Sequence, residues 1–100
     1  MKEIRHIAEE IREELDDAEK YAEEAVKLSE SCPADASAYA ELSRQELGHA
    51  DKLHEMAAHR IEKRRESGEP IPEAMHAVWD WEHERMLERT AHIKVLLSMV

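Results

Sequence analysis

Glu46 and His49 stand three residues apart in the run Glu46-Leu47-Gly48-His49, with Leu42, Ala50 and Leu53 around them at helical spacing. Side chains at i and i+3 project from one face of a helix, so a carboxylate and an imidazole are offered there together. Such a donor pair suits iron, manganese or zinc. The spacing alone decides little. Three E-x-x-H runs occur, Glu3/His6, Glu46/His49 and Glu73/His76, where chance in a chain so rich in Glu and His supplies about one. Glu3/His6 lies at a terminus and off the main apolar stripe. Glu73 follows Pro72 in an opening helical turn, where an acidic residue suits the helix dipole. Only Glu46/His49 sits in mid-helix on an apolar face, and position carries the argument.

A third donor interrupts a second stripe. Ile4, Ile7, Ile11, Ala18, Tyr21, Ala25 and Leu28 step by threes and fours, and Glu14 takes the slot between Ile11 and Ala18. Tyr39, Leu42, Ala50, Leu53, Ala57 and Ile61 form the corresponding stripe around Glu46 and His49, and Met75, Val78, Trp79, Met86, Ile93 and Leu97 form a third that contains Glu82. A carboxylate on a buried stripe is costly unless it is paired, protonated or bound to a cation.

Two breaks separate the elements that must position these groups. Ser31-Cys32-Pro33 ends the first pattern, because proline suits the first turn of a new helix better than the middle of an old one. The second break runs from Ser67 to Pro72, with Gly68 placed to end one helix and Pro72 to begin the next. Helices are predicted at about 2–30, 34–66 and 72–98. The expected fold is all-α, an antiparallel two-helix hairpin plus a third long helix, forming one domain over residues 1–100. Folding the hairpin near Cys32 sets Glu14 opposite position 50. It then faces the turn that holds His49, with Glu46 about one turn, or ~5.4 Å, further along. Mirroring the third helix about the break that follows Gly68 puts Glu82 about level with Met56, away from Glu46.

Composition narrows the function. The formal net charge is −10, so phosphate backbones are repelled and cations attracted; nucleic-acid binding is excluded on that ground. Most of the acidic residues, Asp80, Glu84 and Glu88 among them, belong to solvated helix faces. The amino terminus is too charged for a signal peptide, and no run approaches a membrane span. One cysteine, Cys32, allows no internal disulfide and fits a reducing compartment. The expectation is a cytoplasmic protein without a membrane partner. A core without Phe, drawn from 100 residues, buries little area, which favours self-association.

With these residues in place, a family resemblance emerges. Glu14, six residues, Tyr21, then Glu46-Leu-Gly-His49 resembles the half-motif of ferritin-like di-iron proteins, in which one helix gives Glu and its partner gives Glu-x-x-His. The run EELDDAEKYA, the spacing of 32 between the two Glu and the short chain are most similar to encapsulated ferritins, over roughly residues 10–60. The resemblance implies a four-helix di-iron bundle completed by dimerisation, with iron as its metal, Mn or Zn as substitutes, and ferroxidase activity in iron storage or detoxification. Glu14, Glu46 and His49 match the family's ligands. Tyr21 matches a tyrosine beside the metal, and Glu13 and Asp16 match acidic positions on the route by which iron arrives. It also implies an encapsulin-type shell protein as partner and a place inside such a compartment. The chain departs from the family in its long third helix and in lacking the Gly/Leu-rich tail that addresses those proteins to a shell.

Plainer readings stand beside these. Glu14 alone reads as a helix-edge residue, His49 as an interface histidine, and Tyr21 as core packing. Trp79 and Trp81 read as a subunit contact. His54, His59, His76, His83 and His92 read as surface or interface residues, with secondary iron binding as the sharper option. Two rival functions follow. One is a non-enzymatic helical interaction module in which Glu14, Glu46 and His49 are polar specificity residues of a coiled-coil-like seam. The other is a different di-metal oxidase, using Mn or Fe, on the same scaffold.

Overall fold

Alanine and serine, rather than large apolar side chains, line the upper half of the main helix contact. In the computed structural model, which describes residues 2–100, the chain forms α1 (Lys2–Leu28), α2 (Pro33–Glu66) and α3 (Glu73–Ser98), with no strand among the described residues. Only Met1 of the expected domain lies outside them. The helices begin and end within about two residues of the sequence expectation, for the expected reasons. Pro33 opens α2, Gly68 takes φ +78 just beyond its end, and the Pro72 carbonyl accepts the first backbone bonds of α3. The molecule measures 56 × 17 × 17 Å. Its length is that of α2, whose 34 residues rise by about 51 Å.

α1 and α2 form the antiparallel hairpin. Ala18, Ala22 and Ala25 face Ala36, Ala40 and Ser43, and all six are buried. Side chains this small let the backbones approach closely, and the Ser43 hydroxyl donates 2.7 Å to the Ala18 carbonyl across the seam. Larger residues (Ile4, Ile7, Ile11, Leu15, Leu47 and Ile61) fill the lower half.

α3 packs chiefly on α1. Arg12 meets Glu82, and further along Asp16 and Glu19 meet Arg89 and Glu19 meets His92. Because these pairs ascend together in both helices, α1 and α3 run parallel. Met75, Met86, Ile93 and Leu97 are the buried residues of α3. Its contact with α2 is made by side chains: His54 stacks on Trp79 and meets His83, with 2.8 Å between ring nitrogens. Of the histidines read as surface or interface groups, these two therefore lie inside the chain's own α2–α3 contact.

The apolar stripes differ from expectation in an instructive way. Ala8, Leu15 and Ala22 complete the buried face of α1, while Tyr21 and Leu28 are half-buried beside it. Glu14 therefore flanks the stripe rather than interrupting it, since Leu15 offers more apolar area to the same turn. On α2 the buried face is Ala36, Ala40, Ser43, Leu47, Ala50, Ala57 and Ile61. Tyr39, Leu42, Glu46, His49, Leu53 and Met56 make up a second flank, stepping by threes and fours and partly open to solvent. Val78, expected in the stripe of α3, is exposed, and so is Trp81.

Two outcomes follow. Ser43→Leu forces a large side chain into the closest part of the seam and lowers stability by about 1–3 kcal/mol, whereas Ser43→Ala costs about 1 kcal/mol or less; urea unfolding measures both. His54 has its pKa held below the ordinary 6.5, first by burial and then by His83, against the opposing pull of Asp51 and Glu55. A histidine with a depressed folded pKa contributes stability above its unfolded value and loses it as pH falls. The α2–α3 contact therefore weakens below pH 6.5, and His54→Phe, which keeps the stack on Trp79, removes that part of the acid sensitivity in unfolding curves taken across pH.

Candidate metal centre

Glu14 leaves the middle of α1 on the flank away from α3. Arg12 and Asp16, which bind α3, are each two residues from Glu14, or about 200° around the helix. Across the hairpin, Glu46 and His49 leave α2 one turn apart. His49 Nδ1 lies 3.5 Å from Oε2 of Glu14 and 3.7 Å from Oε2 of Glu46. One donor atom from each of the three residues falls within 4.8 Å of the other two. A cation with ligands at ~2.1 Å separates two donors by ~3.0 Å at a right angle and by ~4.2 Å in line. Both His49 distances fall between those limits, so His49 and either carboxylate can share one ion.

Exposure gives the group a direction. The side chains of Glu14 and Glu46 are 28% and 19% exposed, and that of His49 is 61% exposed. Donors line one side, and the group is open to solvent on its His49 side. The same flank carries the partly exposed Leu42 and Met56 and, two turns above Glu14, Tyr21 stacked on Tyr39 at 6.1 Å.

The remaining residues of the sequence reading are not gathered here. Asp16 turns to α3, where its carboxylate lies 2.8 Å from Arg89. Glu13 is exposed, one residue and about 100° around α1 from Glu14. Tyr21 lies two turns above Glu14, packed on Tyr39. Glu82 pairs with Arg12 across the α1–α3 contact, consistent with its expected distance from Glu46. The outward flank of α2 is the feature that the sequence reading merged with the core stripe. Its signal is the alternation of threes and fours from Tyr39 to Met56.

The electrostatics of the trio turn on the two carboxylates. Glu46 is held above the ordinary 4.5, first by a hydrogen bond to Glu14, then by burial and by the charge of Glu14, while His49 pulls the other way. A carboxyl whose pKa rises on folding stabilises the fold below its unfolded value, and that contribution is lost as pH climbs through the raised value. Metal-free protein should accordingly lose stability as pH rises above 4.5. Glu46→Gln, which can donate to Glu14 at every pH, should flatten this loss; a pH series of urea unfolding midpoints measures the difference.

No family model, curated protein or solved structure matches the chain, so the reading of this centre rests on its own residues.

Proposed function

We propose that the chain is an iron-binding ferroxidase whose di-iron centre is completed by a second copy of itself, serving iron storage or detoxification. The observation that carries this reading is the convergence of two carboxylates and an imidazole from two helices, with donor atoms within 4.8 Å, on an outward flank that α3 leaves uncovered. A twofold pairing of such flanks joins two α1–α2 hairpins into a ferritin-like four-helix bundle. It brings together four Glu and two His, enough for two Fe(II) with positions left for water or dioxygen. Tyr39, Leu42, Leu53 and Met56 supply the apolar seam around them.

Iron is the substrate. Two Fe(II) give one electron each to dioxygen, which with two protons leaves as hydrogen peroxide, so no further reductant is required. Glu46, the better shielded carboxylate, is the candidate bridge between the ions, and Glu14 and His49 are candidate terminal ligands. The chain's acidic surface, net −10, raises the local concentration of Fe(II). Mn and Zn fit the same donors as substitutes. No helix among the described residues is long and apolar enough to cross a membrane. Self-association is the one partnership this reading needs. A shell protein remains an implication of the resemblance.

One observation favours a second reading. The evenly spaced flank of α2 suits a helical interaction module, with Glu46 and His49 as its polar register residues. Metal content separates the two. Anaerobic titration should load about one Fe(II) per chain, and oxygen uptake should continue over many equivalents added. Glu46→Ala should abolish both while the protein stays helical and associated. Leu42→Glu should weaken association more than tenfold and carry the activity down with it. Protein that takes up no iron, yet loses assembly with Glu46→Ala, belongs to the interaction module. A single stoichiometric turnover points to another di-metal oxidase.

A further inference from the structure

On the other flank of α1, where α3 crosses the α1–α2 groove, the three helices enclose a cavity of about 140 Å³. Its floor is apolar, formed by Ala8, Ile11, Leu15 and Met86, all buried. Trp79 and His54, stacked at 5.2 Å, stand on one side, and His83 joins them through the 2.8 Å contact between ring nitrogens. The volume is close to that of an engineered apolar cavity of roughly 150 Å³ that takes benzene. A six-membered ring is therefore the right size for the floor.

The charged lining decides what the ring must carry. Arg12, Arg85 and Arg89 line the cavity, and Glu82 is the one carboxylate among the lining residues. The three guanidiniums are not equally committed. Arg89 is tied to Asp16 and Glu19, and Arg12 lies 3.5 Å from Glu82. Arg85 makes no ion pair among the described residues and rests 5.1 Å over the ring of Trp81. Its planar fork is suited to two parallel bonds to a carboxylate. Two imidazoles in contact would also suggest a transition metal, but the unpaired Arg85 guanidinium in the same wall opposes a cation.

We propose that this cavity binds a small carboxylate with a flat apolar body, of the size of benzoate, its ring on the apolar floor and its carboxylate on Arg85. The site is separate from the Glu14–Glu46–His49 group and does not depend on what that group binds.

Titration of the protein with three probes, followed by calorimetry and tryptophan fluorescence, tests it. Benzoate should bind at least tenfold more tightly than benzyl alcohol, which has the body without the charge, and than acetate, which has the charge without the body. Arg85→Gln, at an exposed position, should bring benzoate down to the level of benzyl alcohol without changing helicity or the binding of the alcohol. Glu14→Gln should leave benzoate binding intact. Equal binding of benzoate and benzyl alcohol, or benzoate binding indifferent to Arg85→Gln, overturns the proposal. So does uptake of Zn(II) that His83→Ala abolishes in protein that shows no preference for benzoate.

Discussion

The hydroxyl of Ser43 can reach the Ala18 carbonyl at 2.7 Å only because α1 and α2 lie very close at that level. Everything distinctive about the molecule follows from this approach. Alanines on both sides of the seam contribute little apolar area each, but they cost almost no side-chain entropy and bring two backbones together. A carboxylate on α1 and a carboxylate and imidazole on α2 then need not stretch to meet. Glu14, one turn before Ala18, and Glu46, one turn after Ser43, inherit their proximity from the small residues beside them. With Leu at the Ala18 or Ser43 positions the helices would separate, and the donor atoms would no longer share a 4.8 Å neighbourhood.

The hairpin has two flanks, and the chain treats them differently. α3 covers one through a few buried apolar residues and several ion pairs. Exposed ion pairs add only about 0–1 kcal/mol each, so Met75, Met86, Ile93 and Leu97 hold α3 in place and the charges set its register. The other flank keeps Tyr39, Leu42, Leu53 and Met56 at partial exposure around the acidic group. A third helix laid there would have filled the position that a second hairpin occupies in the proposed dimer. Arg12 and Asp16 on one side of α1, and Glu14 on the opposite side, encode that choice within five residues.

Much of this was legible in the sequence, for physical reasons that can be named. Pro33, Gly68 and Pro72 each permit or forbid specific backbone conformations, so the helix boundaries were available without tertiary knowledge. The level of Glu14 against His49 followed from the constant rise of a helix on either side of one turn. What the sequence could not convey was which apolar residues face inward. Alanine is a good helix former at exposed and buried positions alike, so Ala36 and Ala40 give no signal, and spacing alone favours Tyr39 and Leu42 for the core. Likewise Glu14 and Leu15 both satisfy the spacing from Ile11 to Ala18, and only packing separates them. The contact of His54 with His83 joins residues 29 apart in sequence, and its geometry depends on how α3 lies over the groove.

The half-open character of the acidic group has a consequence for assembly. At an effective dielectric of about 20, two carboxylates ~4 Å apart repel by about 4 kcal/mol. In the single chain, solvent at the His49 edge relieves part of that repulsion and a raised Glu46 relieves more. Pairing two flanks would close the open side and double the number of carboxylates. No seam of Tyr, Leu and Met can hold four bare carboxylates together, so closure requires either protons or cations in the gap. Protons neutralise the charge but leave the imidazoles without a role. Cations use both donor types and tie four helices at one level. In the proposed dimer of the intact chain, association and cation uptake are therefore linked, whereas Glu46→Ala removes two of the four carboxylates and lets the apolar seam hold the two copies together without a cation.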